Sequence, residues 1–161
     1  MAAHHVGREG TTMILVRLIY VSRMTEECDM AAIQDILNVA RRRNPAHAIT
    51  GMLCYDPQFF MQCLEGPKDS VNALYCDIAR DSRHTRVTLL EYRQIEERIF
   101  GDWSLAFVQA SDLDAKTLRK YGSRGKFDPF TLSPEQARGL VIQTAKEKRK
   151  QLEDQIDNRA E

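Results

Sequence analysis

The chain has 161 residues, enough for one domain of ordinary size and an appendage. Lysine plus arginine and aspartate plus glutamate each total 23, so no charge excess recruits nucleic acid or an anionic membrane surface. Its four cysteines, Cys28, Cys54, Cys63 and Cys76, never reach CxxC spacing. With no signal-peptide core and no apolar run near the ~20 residues of a membrane span, the expectation is a soluble cytoplasmic protein with reduced thiols rather than a zinc or disulfide framework.

Residues 1–12 show no periodicity and are expected to form a flexible N-terminal tail; His4 and His5 are adjacent rather than on one helical face and do not read as metal ligands. Residues 14–22 (ILVRLIYVS) read as a first strand. Its even positions are apolar up to Tyr20, whereas the odd positions include Arg17, so the even face is expected to meet the core, carrying Tyr20 with it. A helix is predicted over residues 30–43, with Asp29 as N-cap and Ile33, Ile36, Leu37 and Ala40 as its apolar stripe. Continuing that spacing lands on Asn44, and Pro45 is expected to stop the helix there. Asn44 then either caps the helix or aims its amide at the interior.

Residues 48–55 and 59–64 read as strands joined by a turn at Asp56-Pro57-Gln58. The second lies within the run FFMQCLEG. Alternation puts Phe60, Gln62 and Leu64 on one face and Phe59, Met61 and Cys63 on the other, and neither is a solvent face. A buried amide costs about 1–3 kcal/mol for each unsatisfied group, so Gln62 requires a polar partner. Gly66-Pro67 ends the strand and opens a second helix, with Val71, Leu74, Tyr75 and Ile78 on its stripe, to about residue 81.

Residues 87–92 and 103–109 complete the strands. The order β-α-β-β-α-β-β is an α+β, ferredoxin-like arrangement with one strand added, and both helices should cover one face of the sheet. Phe59, Met61 and Cys63 then need a second cover. After Gly122-Ser123-Arg124-Gly125, read as a hinge, Ser133-Pro134-Glu135 opens a C-terminal helix to about residue 157. Ala137, Val141, Ala145, Leu152 and Ile156 form a thin stripe interrupted at Lys148. The first half is predicted to dock on the sheet and the second to be solvated or partner-facing.

On these residues the chain resembles the BLUF proteins, blue-light receptors that use flavin adenine dinucleotide (FAD), over about residues 14–109. The resemblance rests on five motifs in order: IYVSR around Tyr20, RNPAHAITGML from Arg43, FFMQCLEG around Gln62, DSRH from Asp81, and WSLA from Trp103. It implies noncovalent FAD in a domain over residues 13–110, followed by a helical extension over 111–161. By the same resemblance, Tyr20 matches the tyrosine that gives an electron and a proton to the photoexcited flavin, and Gln62 the glutamine that relays the proton and changes its hydrogen bonds. Asn44 matches the asparagine holding the ring's polar edge, and Ile36 and Ile78 the aliphatic side chains flanking the ring. Asp81, Arg83 and His84 match the segment lining the ribityl and phosphate side. Trp103 and Leu105 match positions implicated in relaying the change outward, although the family commonly has methionine where this chain has Leu105. Arg43, beside Asn44, either tunes the flavin edge or points to water.

The implied protein is a photoreceptor rather than an enzyme, signalling to a separate regulatory protein or enzyme and forming a homo-oligomer, without direct contact to nucleic acid or membrane. Each residue also has an ordinary explanation: Tyr20 and Trp103 as core aromatics, Arg83 and His84 as partners for carbonyls at a helix end. Two rivals remain on the residues alone. A ferredoxin-like ligand-binding or protein-interaction module needs no photochemistry. A phosphate-cleaving enzyme of similar topology needs a glycine-bearing loop after the first strand, and residues 22–29 contain no glycine.

Overall fold

The computed structural model describes residues 13–101 and 103–160, and the expected tail at 1–12 lies outside the described residues. The chain runs β1 (Leu15–Met24), α1 (Met30–Ala46), β2 (Thr50–Tyr55), β3 (Phe59–Pro67), α2 (Lys68–Ala79), β4 (His84–Ile95) and β5 (Ala106–Gln109), then α3 (Ala115–Tyr121) and α4 (Pro134–Ala160). The strands form one five-stranded sheet in the order β4-β1-β3-β2-β5, antiparallel except for β5, which runs parallel to β2. This is the expected ferredoxin-like α+β arrangement with an added edge strand.

β3 lies in the middle of the sheet, and both of its faces are dry. On one face Phe60 packs with Ile33 and Leu37 of α1, and Leu64 packs with Val16, Leu18 and Val71 of α2, so the two helices share that face through separate apolar clusters. On the other, Met61 and Cys63 meet Ala137, Leu140, Val141 and Ala145 of α4. The docked half of α4 is therefore the second cover, whereas residues 151–160 are exposed, Leu152 and Ile156 included. Arg138 on α4 donates from Nε to Glu91 Oε1 of β4 at 2.7 Å and fixes the helix laterally. Leu140→Ala, which empties a fully enclosed site beneath α4, should lower stability by about 2–5 kcal/mol in urea unfolding.

The second cover corrects the reading of β1. Arg17 does not mark a solvent face: Ile19 and Val21 on its side are wholly buried, and Arg17 is itself buried against Glu65. Boundaries also move: β1 runs on to Met24, β2 starts only at Thr50, and β3 continues to Pro67, so that α2 opens at Lys68. α1 continues to Ala46 with Pro45 in its last turn, because a proline there forfeits only the bond toward residue 41 while the Asn44 carbonyl accepts from His47 N and Ile49 N. α2 ends at Ala79 rather than near 81. β4 spans twelve residues rather than 87–92; its pairing with β1 shifts register at two places, which breaks the alternation, and Glu91 within it is buried. β5 begins at Ala106, since residues 103–105 are held outside the ladder by side-chain and backbone bonds described below.

The 122–125 segment is a closed turn rather than a hinge. Ser123 and Lys126 exchange backbone hydrogen bonds at 2.9 Å across Arg124 and Gly125, both at positive φ. The short α3 before it escaped the periodicity, although Asp114 as N-cap and Gly122 after its last turn are its signals.

Candidate functional site

α1 and α2 stand apart on their shared face of the sheet, leaving between them a cleft of about 810 Å³, counted out to solvent. Its floor is the middle of the sheet. Tyr20 of β1 and Gln62 of β3 are direct partners in the antiparallel register, so their side chains emerge side by side on the helix face. The Tyr20 hydroxyl donates to Gln62 Oε1 at 2.5 Å. Burial pushes the Tyr20 phenol well above the ordinary tyrosine range, with Tyr75 and Asp81 adding to the effect. The phenol therefore keeps its proton throughout neutral pH. The stability tied to that buried neutral phenol is present below pH ~10 and lost as pH climbs toward the raised value.

Asn44 reaches the same cleft from α1. It is seven residues beyond Leu37 on the buried stripe, and its Nδ2 donates to the Ser104 carbonyl at 2.8 Å. The amide is aimed inward, not spent on capping its own helix. Among the described residues, Tyr20 is the one protein partner of the Gln62 amide and Ser104 the one partner of the Asn44 amide. Gln62 Nε2 remains free to donate and Asn44 Oδ1 free to accept, both on residues that line the cleft. Ile36 of α1 and Ile78 of α2 supply aliphatic surface on opposite sides. This set fits a flat aromatic system with a polar, amide-like edge.

The cleft's polar end is ionic. Arg83 binds Asp81 through two nitrogens, the shorter contact 2.6 Å, and reaches Asp35 of α1 at 3.1 Å. The Arg83 hydrogen bonds hold the Asp81 carboxyl below its usual range despite partial burial. His84 is engaged at both nitrogens: Nε2 donates to the Ile78 carbonyl at 2.5 Å, and Nδ1 meets Ser22 Oγ at 2.8 Å. The ordinary role expected for a histidine past a helix end thus applies, and toward the cleft His84 offers ring surface rather than a free nitrogen.

Tyr20, Ile36, Asn44, Gln62, Ile78, Asp81, Arg83 and His84 all line this one cleft. Trp103 and Leu105 do not. Leu105 packs beneath α1 beside Leu53 and Phe60, while Trp103 turns to the α4 face, where its ring lies 5.9 Å from Phe100 and 4.9 Å from the Arg149 guanidinium. Sequence reasoning missed Asp77, Leu53 and Phe60 as lining residues. Phe60 was recoverable, since it shares Gln62's face two residues away.

Glu65 was also missed. It is completely buried and accepts from Arg17 Nε, Ile99 N and Phe100 N at 2.8–3.0 Å, clamping the start of the segment that carries Trp103. Gly51 N then bonds the Trp103 carbonyl and Asn44 the Ser104 carbonyl, which holds residues 103–105 off the β5 ladder.

A family model described as BLUF, sensors of blue-light using FAD, matches residues 15–106. The chain belongs to the BLUF family. Its cofactor is accordingly FAD and its function blue-light sensing. Among curated BLUF relatives, the photoactivated adenylate cyclase subunit beta of Euglena gracilis is 38% identical over 106 residues, which is 65% of this chain and 12% of the relative. The blue light- and temperature-regulated antirepressor BluF of Escherichia coli (strain K12) is 33% identical over 88 residues, 55% of this chain and 22% of the relative. The chain thus spans only a small part of the curated relatives it matches. Among solved structures, BlsA in its photo-activated state is 29% identical with a TM-score of 0.74, covering 81% of this chain and 94% of BlsA. The BLUF protein BlrB in its dark state is 34% identical with a TM-score of 0.60, covering 62% and 76%. The BlsA match is wider than the family match and takes in part of the helical region after β5.

Proposed function

We propose that this BLUF chain detects blue light by moving an electron and a proton out of Tyr20, with Gln62 as the group that receives the proton and then reorients. The observation that carries the reading is the 2.5 Å bond from the Tyr20 hydroxyl to Gln62 Oε1, with Gln62 Nε2 left free at the cleft wall. Bound noncovalently, FAD would supply the blue absorption and the redox centre that accepts the electron. Ile36 and Ile78 would flank its ring, Asn44 and Gln62 would hold the ring's polar edge, and Asp81, Arg83 and His84 would line its ribityl and phosphate side.

A neutral phenol is a weak acid, but a phenol that has lost an electron is a strong one, so oxidation of Tyr20 expels its proton along the bond already in place. Gln62 Oε1 accepts that proton while Nε2, free at the cleft wall, would pass one on to the flavin that has gained the electron, so the amide stays neutral. Rotation or tautomerisation of that amide exchanges the donor and acceptor presented to the cleft, and glutamine does this without changing net charge. The pocket then has two hydrogen-bonding states.

The output runs outward through residues 103–105. Asn44 holds the Ser104 carbonyl, Trp103 lies under Arg149, and Arg149 Nη2 also donates to the Ile99 carbonyl at 2.5 Å, so a change at the amide wall is coupled to α4. Residues 13–110 are the light-sensing unit in this reading, and 111–161 is the extension through which a separate regulatory protein or enzyme, or a second copy in a homo-oligomer, is addressed. Relatives named as a cyclase subunit and an antirepressor favour a regulatory partner. Among the described residues no helix is long and apolar enough to cross a membrane, and we place the chain in the cytoplasm.

The test is spectroscopic. The purified chain should carry a flavin absorption band that shifts under blue light, with little change in the size of the shift between pH 6 and 9 because Tyr20 stays protonated. Tyr20→Phe should retain the band and lose the shift. A normal shift in that variant would exclude Tyr20 as the donor.

A further inference from the structure

We infer that Arg43 and Asp77 form a clasp across the mouth of the cleft that sets how fast flavin leaves it, an inference that rests on the flavin reading of that cleft. Arg43 ends the last turns of α1, and Asp77 lies near the end of α2. Their side chains meet at 2.9 Å, from Arg43 Nη2 to Asp77 Oδ2, and both line the cleft. Each is 47% exposed at its side chain, which puts the pair at the rim rather than on the floor.

The position matters because little else joins the two helices. α1 packs into a cluster with β2 and β3, α2 into a different cluster with β1, and the space between the clusters is the cleft itself. At the other end α1 is tied through Asp35 and Ala32 to Arg83, which follows α2. The helices are thus strapped at two points with an apolar slot between. A flat ring lying in that slot must pass one strap to escape, and the Arg43–Asp77 strap is the one beside Asn44.

The pairing also answers whether Arg43 serves the ligand or the solvent. Arg43 and Arg83 are the cations among the cleft's lining residues, and each is already matched by a carboxylate there, Asp77 and Asp81. Asp77 uses one oxygen for Arg43 and the other for the more exposed Arg80, at 3.2 Å, and Arg43 acts through Asp77 rather than on the cofactor's phosphates.

A double-mutant cycle on the full-length holoprotein decides this. Release of FAD and of riboflavin, which lacks the phosphates, is followed by fluorescence after dilution for wild type, Arg43→Gln, Asp77→Asn and the double variant. A half-exposed ion pair predicts about two- to fivefold faster release in either single variant, no further gain in the double, and the same factor for both flavins. High salt should speed wild type and leave the variants unchanged. Unchanged thermal midpoints would assign the effect to the mouth. The clasp is overturned if neither single variant alters release. It is overturned equally if Arg43→Gln speeds FAD alone while Asp77→Asn slows it, the signature of Arg43 gripping phosphate with Asp77 as its competitor. A wild-type chain that retains no flavin would overturn the reading of the cleft and the clasp together.

Discussion

Replacing Gln62 with leucine leaves flavin bound and abolishes the light-induced spectral shift. Leucine nearly preserves the volume at a buried position in the central strand, and Phe60, Leu53 and the two flanking isoleucines still line the cleft, so binding loses one polar contact among several. What disappears is specific. The Tyr20 hydroxyl, which bonds Gln62 Oε1 and no other side chain among the described residues, loses its acceptor, and the wall loses the group that can present either a donor or an acceptor. The difference spectrum between dark and illuminated samples should fall to baseline while the flavin-to-protein ratio stays near that of wild type. Gln62→Glu is the informative companion, because a carboxylate keeps the acceptor and loses the exchangeable donor. A shift of normal size in Gln62→Leu would remove this side chain from the mechanism.

The largest effect on stability is expected at a residue that touches no part of the cleft. Glu65→Ala strips three donors of their acceptor: the Arg17 guanidinium and the backbone N–H groups of Ile99 and Phe100. Arg17 is then a buried charge without its partner, which costs about 3–5 kcal/mol, and each stranded N–H adds about 1–3 kcal/mol where water cannot reach it. Domains of this size are stable by roughly 5–15 kcal/mol, so Glu65→Ala should leave the fold marginal in thermal or urea unfolding. Glu65→Gln retains an oxygen for part of the clamp and should be milder. A loss below about 1 kcal/mol in Glu65→Ala would mean that the 97–100 segment finds other partners.

The sequence was most informative where local pattern and tertiary role coincide. Tyr20, Gln62 and Asn44 stood out because each places a polar atom on a stripe that otherwise reads as buried, and the register and hydrogen bonds bring all three to one wall. Edges and second layers were harder to read. β4 loses its alternation at two register shifts against β1, and Arg17 looked like a surface residue because its partner lies 48 positions away on another strand. Residues 103–105 read as strand from their composition, yet a side-chain amide from α1 and a backbone N–H from β2 take their carbonyls. The Arg43–Asp77 pair was invisible for the same reason. Neither helix alone announces that its last turns will face the other's across a gap.

β3 is hydrogen-bonded along both sides, whereas β5 joins the sheet through four residue pairs with β2 alone. In mechanical terms the sheet has a stiff centre and a compliant margin. The side chain that reorients sits in the stiff part, and the strand that leads toward α4 sits on the compliant one. A displacement too small to disturb the centre can therefore appear as movement at the margin while every other strand keeps its register.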